Sequence, residues 1–219
     1  MSDFDFDLDR ASRAGVGEAI FCAGKSVEQL NAFLGDWTGK GPAIFLTRLS
    51  PERAGALKVA PDHSFDYDPI SQTAILGSLP VARHAGVVIV TAGTSDVPVA
   101  TEAARGLAVC GYDSETVKDV GVAGLHRLLG RLDTLREARL IIAVAGMEGA
   151  LFPVIAGLVR APVIAVPTSV GYGVTAGGKA ALNSALGTCA PGVLTTNIDN
   201  GFGAAMAAAK ILGIGAADE

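Results

Sequence analysis

The sequence predicts an α/β protein. A small N-terminal α/β domain is expected over residues 15–80, and a five-stranded parallel, doubly wound sheet domain over residues 81–219. Residues 1–14 read as a flexible arm. Three observations carry this expectation. From Ala85 onward, short β-branched runs alternate with helix-like stretches, the pattern of strands joined by crossover helices. Four of those runs, all but the weaker Thr116–Val120, are β-branched and read as strands buried on both faces. Half of the residues are hydrophobic but only 5% are aromatic, so small side chains, 37 Ala and 28 Gly, fill the interior.

In chain order, Glu18–Cys22 and Ala43–Leu46 read as strands with a helix, Ser26–Trp37, between them. Ser26 suits the helix N-cap, with Glu28 in the first turn. Ser50-Pro51-Glu52 opens a short helix with proline at its first position. Phe65–Asp68 and Thr73–Leu76 form an expected hairpin, and the domain boundary is placed near Ser78-Leu79-Pro80. In the second region the strands are Val87–Val90, Thr116–Val120, Leu140–Val144, Val163–Val166 and Val193–Thr196. The helices are Val97–Cys110, Leu125–Ala138, Ala150–Arg160, Gly178–Leu186 and Gly203–Leu212. Right-handed crossovers put every strand-to-helix loop at the carboxyl edge of the sheet, where a ligand is expected.

Composition excludes several classes. A chain this apolar collapses rather than staying disordered. Three cysteines, Cys22, Cys110 and Cys189, do not make a disulfide scaffold. A net charge of −5 argues against nucleic-acid binding, which wants a basic face. No uncharged run is long enough for a membrane span: Leu151–Val170 contains Arg160, Pro162 and Pro167. A cytoplasmic protein is the expectation. Only seven charged residues follow position 140, and the helix Gly203–Ile211 lacks a polar face, so burial against a second subunit is expected.

The chemistry should lie in the loops. Gly93-Thr94-Ser95-Asp96 precedes a helix with Pro98 in its first turn, a setting for phosphate or carboxylate. Asp96 suits a cap, a ribose hydroxyl or a metal. Gly146-Met147-Glu148-Gly149 places one carboxylate among small and apolar residues. Pro167–Gly178, with Thr168, Ser169 and Tyr172, is too glycine-rich for a bare connection and is expected to line a ligand. Its Gly171-Tyr172-Gly173-Val174-Thr175-Ala176 fits a dinucleotide fingerprint, but at the fourth of five strands it reads as a false match. Lys179 is the one cation nearby. Asp199 and Asn200 could bind a metal, cap a helix, or both. Cys189, in a turn-rich link, is either an inert thiol or a nucleophile. Its loop enters a strand, so within its own subunit it lies at the amino edge. His63, His84 and His126 have no metal spacing and are assigned no catalytic role.

Several of these runs together resemble the LarB family, the pyridinium-3,5-biscarboxylic acid mononucleotide synthases of nickel-pincer cofactor biosynthesis. They are Gly93–Asp96, Ala145–Pro153, Thr168–Gly173, Asn183-Ser184, Cys189–Gly192 and Asn197–Ala205, together with Arg10–Arg13, Gly15, Glu18–Cys22 and Gly24–Gln29. The second domain is similar to the PurE-type, flavodoxin-like carboxymutases. The resemblance implies a homo-octamer, Mg2+ as cofactor, and nicotinic acid adenine dinucleotide with CO2 or bicarbonate as substrates. It gives Cys189 the role of ring nucleophile and Glu148 a catalytic one. The substrate contacts would come from Gly93, Thr94, Ser95, Asp96, Gly146, Met147, Thr168, Ser169, Tyr172, Lys179 and Asn200, and the metal contact from Asp199. The carboxymutase histidine has no counterpart in Gly149-Ala150-Leu151-Phe152-Pro153. Two alternatives stand beside this reading, an aminoimidazole ribonucleotide carboxymutase and a non-catalytic nucleotide-binding regulator.

Overall fold

The computed structural model describes residues 6, 7 and 9–214. Residues 1–5 and 8 of the expected arm lie outside that range. The rest of the arm is anchored. The Asp7 N–H donates to the Glu18 carboxylate at 2.7 Å, Asp7 pairs with Arg13 of helix α1, Arg10–Ala14, at 2.6 Å, and Phe6 packs on Phe33 with ring centroids 5.4 Å apart.

The N-terminal sheet contains β1 (Ala19–Phe21), β2 (Ile44–Thr47), β3 (Phe65–Asp68) and β4 (Thr73–Leu76). Their order is β1-β2-β4-β3, with β1 and β2 parallel and the other pairs antiparallel. Helix α2 (Val27–Asp36) starts as Ser26 dictates. The Ser26 hydroxyl accepts from the Gln29 N–H at 3.2 Å, and the Gln29 side chain accepts from the Ser26 N–H at 2.9 Å, a reciprocal cap. Its buried Leu30, Phe33 and Leu34 cover the sheet beside Ile20, Leu46 and Leu76. Helix α3 (Pro51–Gly55) is capped by Ser50.

The second sheet contains β5 (Val87–Thr91), β6 (Glu115–Val117), β7 (Leu140–Ala145), β8 (Val163–Pro167) and β9 (Val193–Thr195). All its pairs are parallel, in the order β6-β5-β7-β8-β9. Successive residues of β5 point to opposite faces. Val87 and Ile89 join one core with Ile142, Val144 and Val166 under helices α4 (Val97–Val109) and α9 (Gly201–Gly213). Val88 and Val90 join a second core on the other face. There they meet α5 (Leu125–Leu129), α6 (Leu132–Glu137), α7 (Leu151–Ala156) and α8 (Lys179–Gly187). This two-sided burial is why the central strands β5, β7 and β8 carry no polar alternation. No helix among the described residues is long and apolar enough to cross a membrane.

Two expectations change. The single helix over Leu125–Ala138 is two helices broken at Gly130-Arg131, where glycine gives little help to helix continuation. The helix expected to reach Arg160 stops at Ala156, before Gly157. One face of α9 is covered by its own chain. Ala204, Ala205, Ala208 and Ala209 pack on Ala100, Ala103 and Leu107 of α4. A Cβ on Gly106 would lie 2.9 Å from the Ala205 Cβ, so these helices meet nearly backbone to backbone. The small-residue composition follows from that approach.

Gly106→Val should therefore destabilise the chain by about 1–3 kcal/mol through overpacking, read from urea unfolding. Combining it with Ala205→Gly should recover part of the loss, whereas additive losses would refute the close approach.

Candidate active site

In an open parallel sheet the crevice lies where the strand order reverses. Chain order runs from β5 outward to β6, then back past β5 to β7, so the reversal lies between β5 and β7. A cavity of about 340 Å3 opens there at the carboxyl ends. Gly93, Ser95 and Asp96 after β5 form one wall, Gly146, Met147 and Glu148 after β7 another, and Val170 after β8 closes it. Gly121, Val122 and Ala123 of the loop following β6 complete it. That loop was missed in the sequence because its residues are small and bear no chemistry of their own.

Asp96 holds the walls together. It is only 3% exposed. One carboxylate oxygen accepts from the Gly93 N–H at 2.9 Å and the other from the Thr168 hydroxyl at 2.7 Å; a main-chain bond from Gly146 adds to these. One carboxylate thus ties the loops after β5, β7 and β8. Burial pushes its pKa up, and the charge of Asp199 adds to the rise. Hydrogen bonds from Thr168, Gly93 and Gly146 oppose it. Thr168 is fully buried with its hydroxyl on Asp96, so its expected substrate contact is corrected to a structural one.

Gly146 is fixed by packing. A Cβ there would fall 2.2 Å from the Val170 carbonyl and 2.7 Å from the Thr168 hydroxyl. Next to it, Met147 has φ 51° and donates its N–H to the Val170 carbonyl at 2.7 Å. Asp119 (φ 58°) after β6 and Asp199 (φ 56°) after β9 are also left-handed. Such conformations in residues with side chains concentrate at functional loops. Glu148 is exposed on the cavity wall.

Beyond β9, the Asp199 carboxylate accepts from the Ser169 N–H at 2.8 Å through Oδ1. Asn200 caps α9, its side-chain oxygen accepting from the Gly203 N–H at 2.8 Å. No group of three or more His, Cys, Asp or Glu able to hold a metal occurs among the described residues. Mg2+ commonly binds through one or two carboxylates plus substrate phosphates. Asp199, with Oδ2 uncommitted among the described hydrogen bonds, fits an ion that enters with a diphosphate better than a resident one.

Of the remaining expected residues, Ser95 lines the cavity and Thr94, Tyr172, Lys179 and Cys189 do not. Thr94 and Ser95 are exposed in the short 3-10 turn before α4. Tyr172 is exposed on the loop after β8. The glycine fingerprint opens no α-helix: it runs into a 3-10 segment, Gly173–Gly178, kinked at Ala176-Gly177, and α8 begins only at Lys179, which is exposed. Cys189 is exposed beyond the other end of α8, which spans nine residues, about 13 Å. The structure does not bring it to the cavity of its own chain. Burial pushes the other two thiols up, Cys22 to about 12 and Cys110 to about 11, which suits inert packing groups.

Residues 86–218 match the model of the AIR carboxylase family, and residues 2–78 match the LarB/PurE-like N-terminal domain. An uncharacterized protein of Methanocaldococcus jannaschii is 37% identical over 213 residues, covering 94% of this chain and 82% of that protein. A crystal structure of a PurE2 variant from Treponema denticola shares 23% identity. It covers 59% of this chain and 80% of that one, with a TM-score of 0.49.

Removing the Asp96 carboxylate leaves buried donors without partners. Asp96→Ala should cost about 2–5 kcal/mol in urea unfolding at neutral pH; a loss below about 1 kcal/mol would remove Asp96 from this role. The folded-state pKa is raised, so the stabilisation from its protonated form is full below the unfolded carboxyl range. It is lost as pH rises through the raised value. Wild type should therefore gain stability relative to Asp96→Asn as pH falls from neutral through the raised value, measured by paired melts.

Proposed function

The chain belongs to the LarB family, joining a LarB/PurE-like N-terminal domain to an AIR carboxylase domain, and on that premise we propose that it carboxylates the pyridinium ring of nicotinic acid adenine dinucleotide. The same site would then hydrolyse the phosphoanhydride to give pyridinium-3,5-biscarboxylic acid mononucleotide and AMP. One observation supports this over an aminoimidazole ribonucleotide carboxymutase. The cavity wall carries Glu148 and no imidazole; His63 packs on Trp37 in the N-terminal domain, and His84 pairs with Asp113 at the amino edge. Leu151 and Phe152, buried where the mutase pattern has its histidine, offer no proton.

A pyridinium is a poor carbon nucleophile. In the proposed reaction a thiolate from Cys189 adds to the ring and makes it electron-rich. The free meta carbon then attacks CO2. Loss of the proton from that carbon, taken by Glu148, and expulsion of the thiolate restore aromaticity, so no external oxidant or reductant is needed. Water adds across the phosphoanhydride, and its proton is released with AMP. The amides of Gly93 and its neighbours at the start of α4 suit the diphosphate, and Asp199 is the residue that would hold Mg2+. When bound, that ion would neutralise diphosphate charge. Because Cys189 lies at the opposite sheet edge from the cavity, the proposal requires that a neighbouring subunit presents it, hence a homo-oligomer.

Incubating wild type with the dinucleotide, Mg2+ and bicarbonate should yield AMP and the dicarboxylated mononucleotide, and Cys189→Ala should yield neither. Full activity in that variant would sink the nucleophile, while dinucleotide binding without turnover in wild type would favour a nucleotide-binding regulator. Mixing inactive Cys189→Ala and Glu148→Gln subunits should restore part of the activity, because some mixed sites then hold both native groups. Failure to complement would place both groups in one chain.

A further inference from the structure

Two adjacent residues at the end of β2 reach across the domain boundary. Thr47, buried, donates its hydroxyl to a carboxylate oxygen of Glu102, itself buried on α4. Arg48 donates a guanidinium N–H to the main-chain carbonyl of Asp199. Both ends of that second bond are left-handed, with φ 57° at Arg48 and 56° at Asp199. Side-chain-bearing residues seldom adopt this conformation, and it persists where surroundings over-determine it.

The Asp199 loop is held on its other sides as well. Its N–H donates to the Pro167 carbonyl at 2.8 Å, and its Oδ1 accepts from the Ser169 N–H at 2.8 Å. Gly201 is pressed onto α4, where a Cβ would lie 2.2 Å from the Val99 carbonyl oxygen and 3.0 Å from a Glu102 carboxylate oxygen. Arg48 is the hydrogen bond that reaches Asp199 itself from the N-terminal domain. We propose that Arg48 is a positioning residue for Asp199, so that the N-terminal domain completes the site. Without the guanidinium, Asp199 neither holds Ser169 nor directs its second carboxylate oxygen at the cation accompanying a diphosphate. The ligand's identity rests on the proposed function; the contact and its effect on the loop do not. A lone carbonyl acceptor needs a donor rather than a planar fork, so lysine should substitute in part.

The test has a ligand-free arm and a kinetic arm, each using Arg48→Met, Arg48→Lys and, as a control that loosens the domain contact elsewhere, Arg105→Met, whose wild-type side chain bonds Thr73 and Asp66. Hydrogen exchange at the Ser169 amide should quicken by about tenfold in Arg48→Met and stay near wild type in Arg48→Lys and Arg105→Met. In turnover, Arg48→Met should raise the Mg2+ concentration for half-maximal rate by about tenfold with kcat at saturating Mg2+ little changed. Asp199→Asn should give a similar shift, and the double variant no further one. Should Arg48→Met fail to fold, Arg48→Gln, too short to reach the carbonyl, gives the same reading. Unchanged Ser169 exchange, or additive shifts indicating direct ligand contact by Arg48, would overturn the proposal. Altered exchange in an enzyme that turns nothing over would support the positioning role and remove only the assigned reaction.

Discussion

A single buried carboxylate organises the carboxyl edge of this protein. Asp96 is held at 3% exposure by hydrogen bonds from two other loops and from its own. Those loops are glycine-rich and would otherwise be free to move. A carboxylate offers roughly four acceptor positions, enough to satisfy donors arriving from β5, β7 and β8 together. A hydroxyl or amide in its place would satisfy fewer donors. The raised pKa measures what burial costs the charged form, and the opposing hydrogen bonds are what keep the arrangement tolerable. The cavity between β5 and β7 keeps its shape because this knot lies in its wall.

The second domain depends on close approach. Small side chains let α4 and α9 pack almost backbone to backbone, and α4 then presents an opposite flank to the N-terminal sheet. Glu102 and Arg105 on that flank meet Thr47, Thr73 and Asp66, while Phe202 at the start of α9 stacks on Phe45 at 5.4 Å. These contacts seat the N-terminal sheet against the helix that leads out of the glycine loop and against the loop that carries Asp199. A domain bearing none of the expected reactive groups is thereby coupled to the residues that do.

The position of Cys189 shapes the chemistry. A thiol on a loop entering β9 and a cavity on loops leaving β5 and β7 belong to opposite edges of one parallel sheet. In the proposed reaction a second copy brings them together. Oligomerisation in that reaction has a catalytic reason beyond covering an apolar helix, one face of which α4 already covers within the chain.

Much of the fold was legible because it is periodic. The hairpin Phe65–Asp68 and Thr73–Leu76 falls where expected, the Ser26 and Ser50 caps are real, and the five parallel strands differ from expectation by a few residues at their ends. Glycine punctuation was read less well: Gly130 and Gly157 end helices that hydrophobic spacing would have continued. At the site, Gly93, Ser95, Asp96, Gly146, Met147 and Glu148 were named from sequence and meet in one cavity. The roles of Asp96 and Thr168 as buried braces, the Gly121–Ala123 wall and the reach of Arg48 to Asp199 were not legible. Each depends on contacts between residues 29 to 151 positions apart. Local patterning determines which segments become strands and helices, because their periods are written in neighbouring residues. Which carboxylate faces a ligand and which is walled in by three loops is decided only when the sheet assembles, because solvent access and hydrogen-bond partners belong to the packed chain.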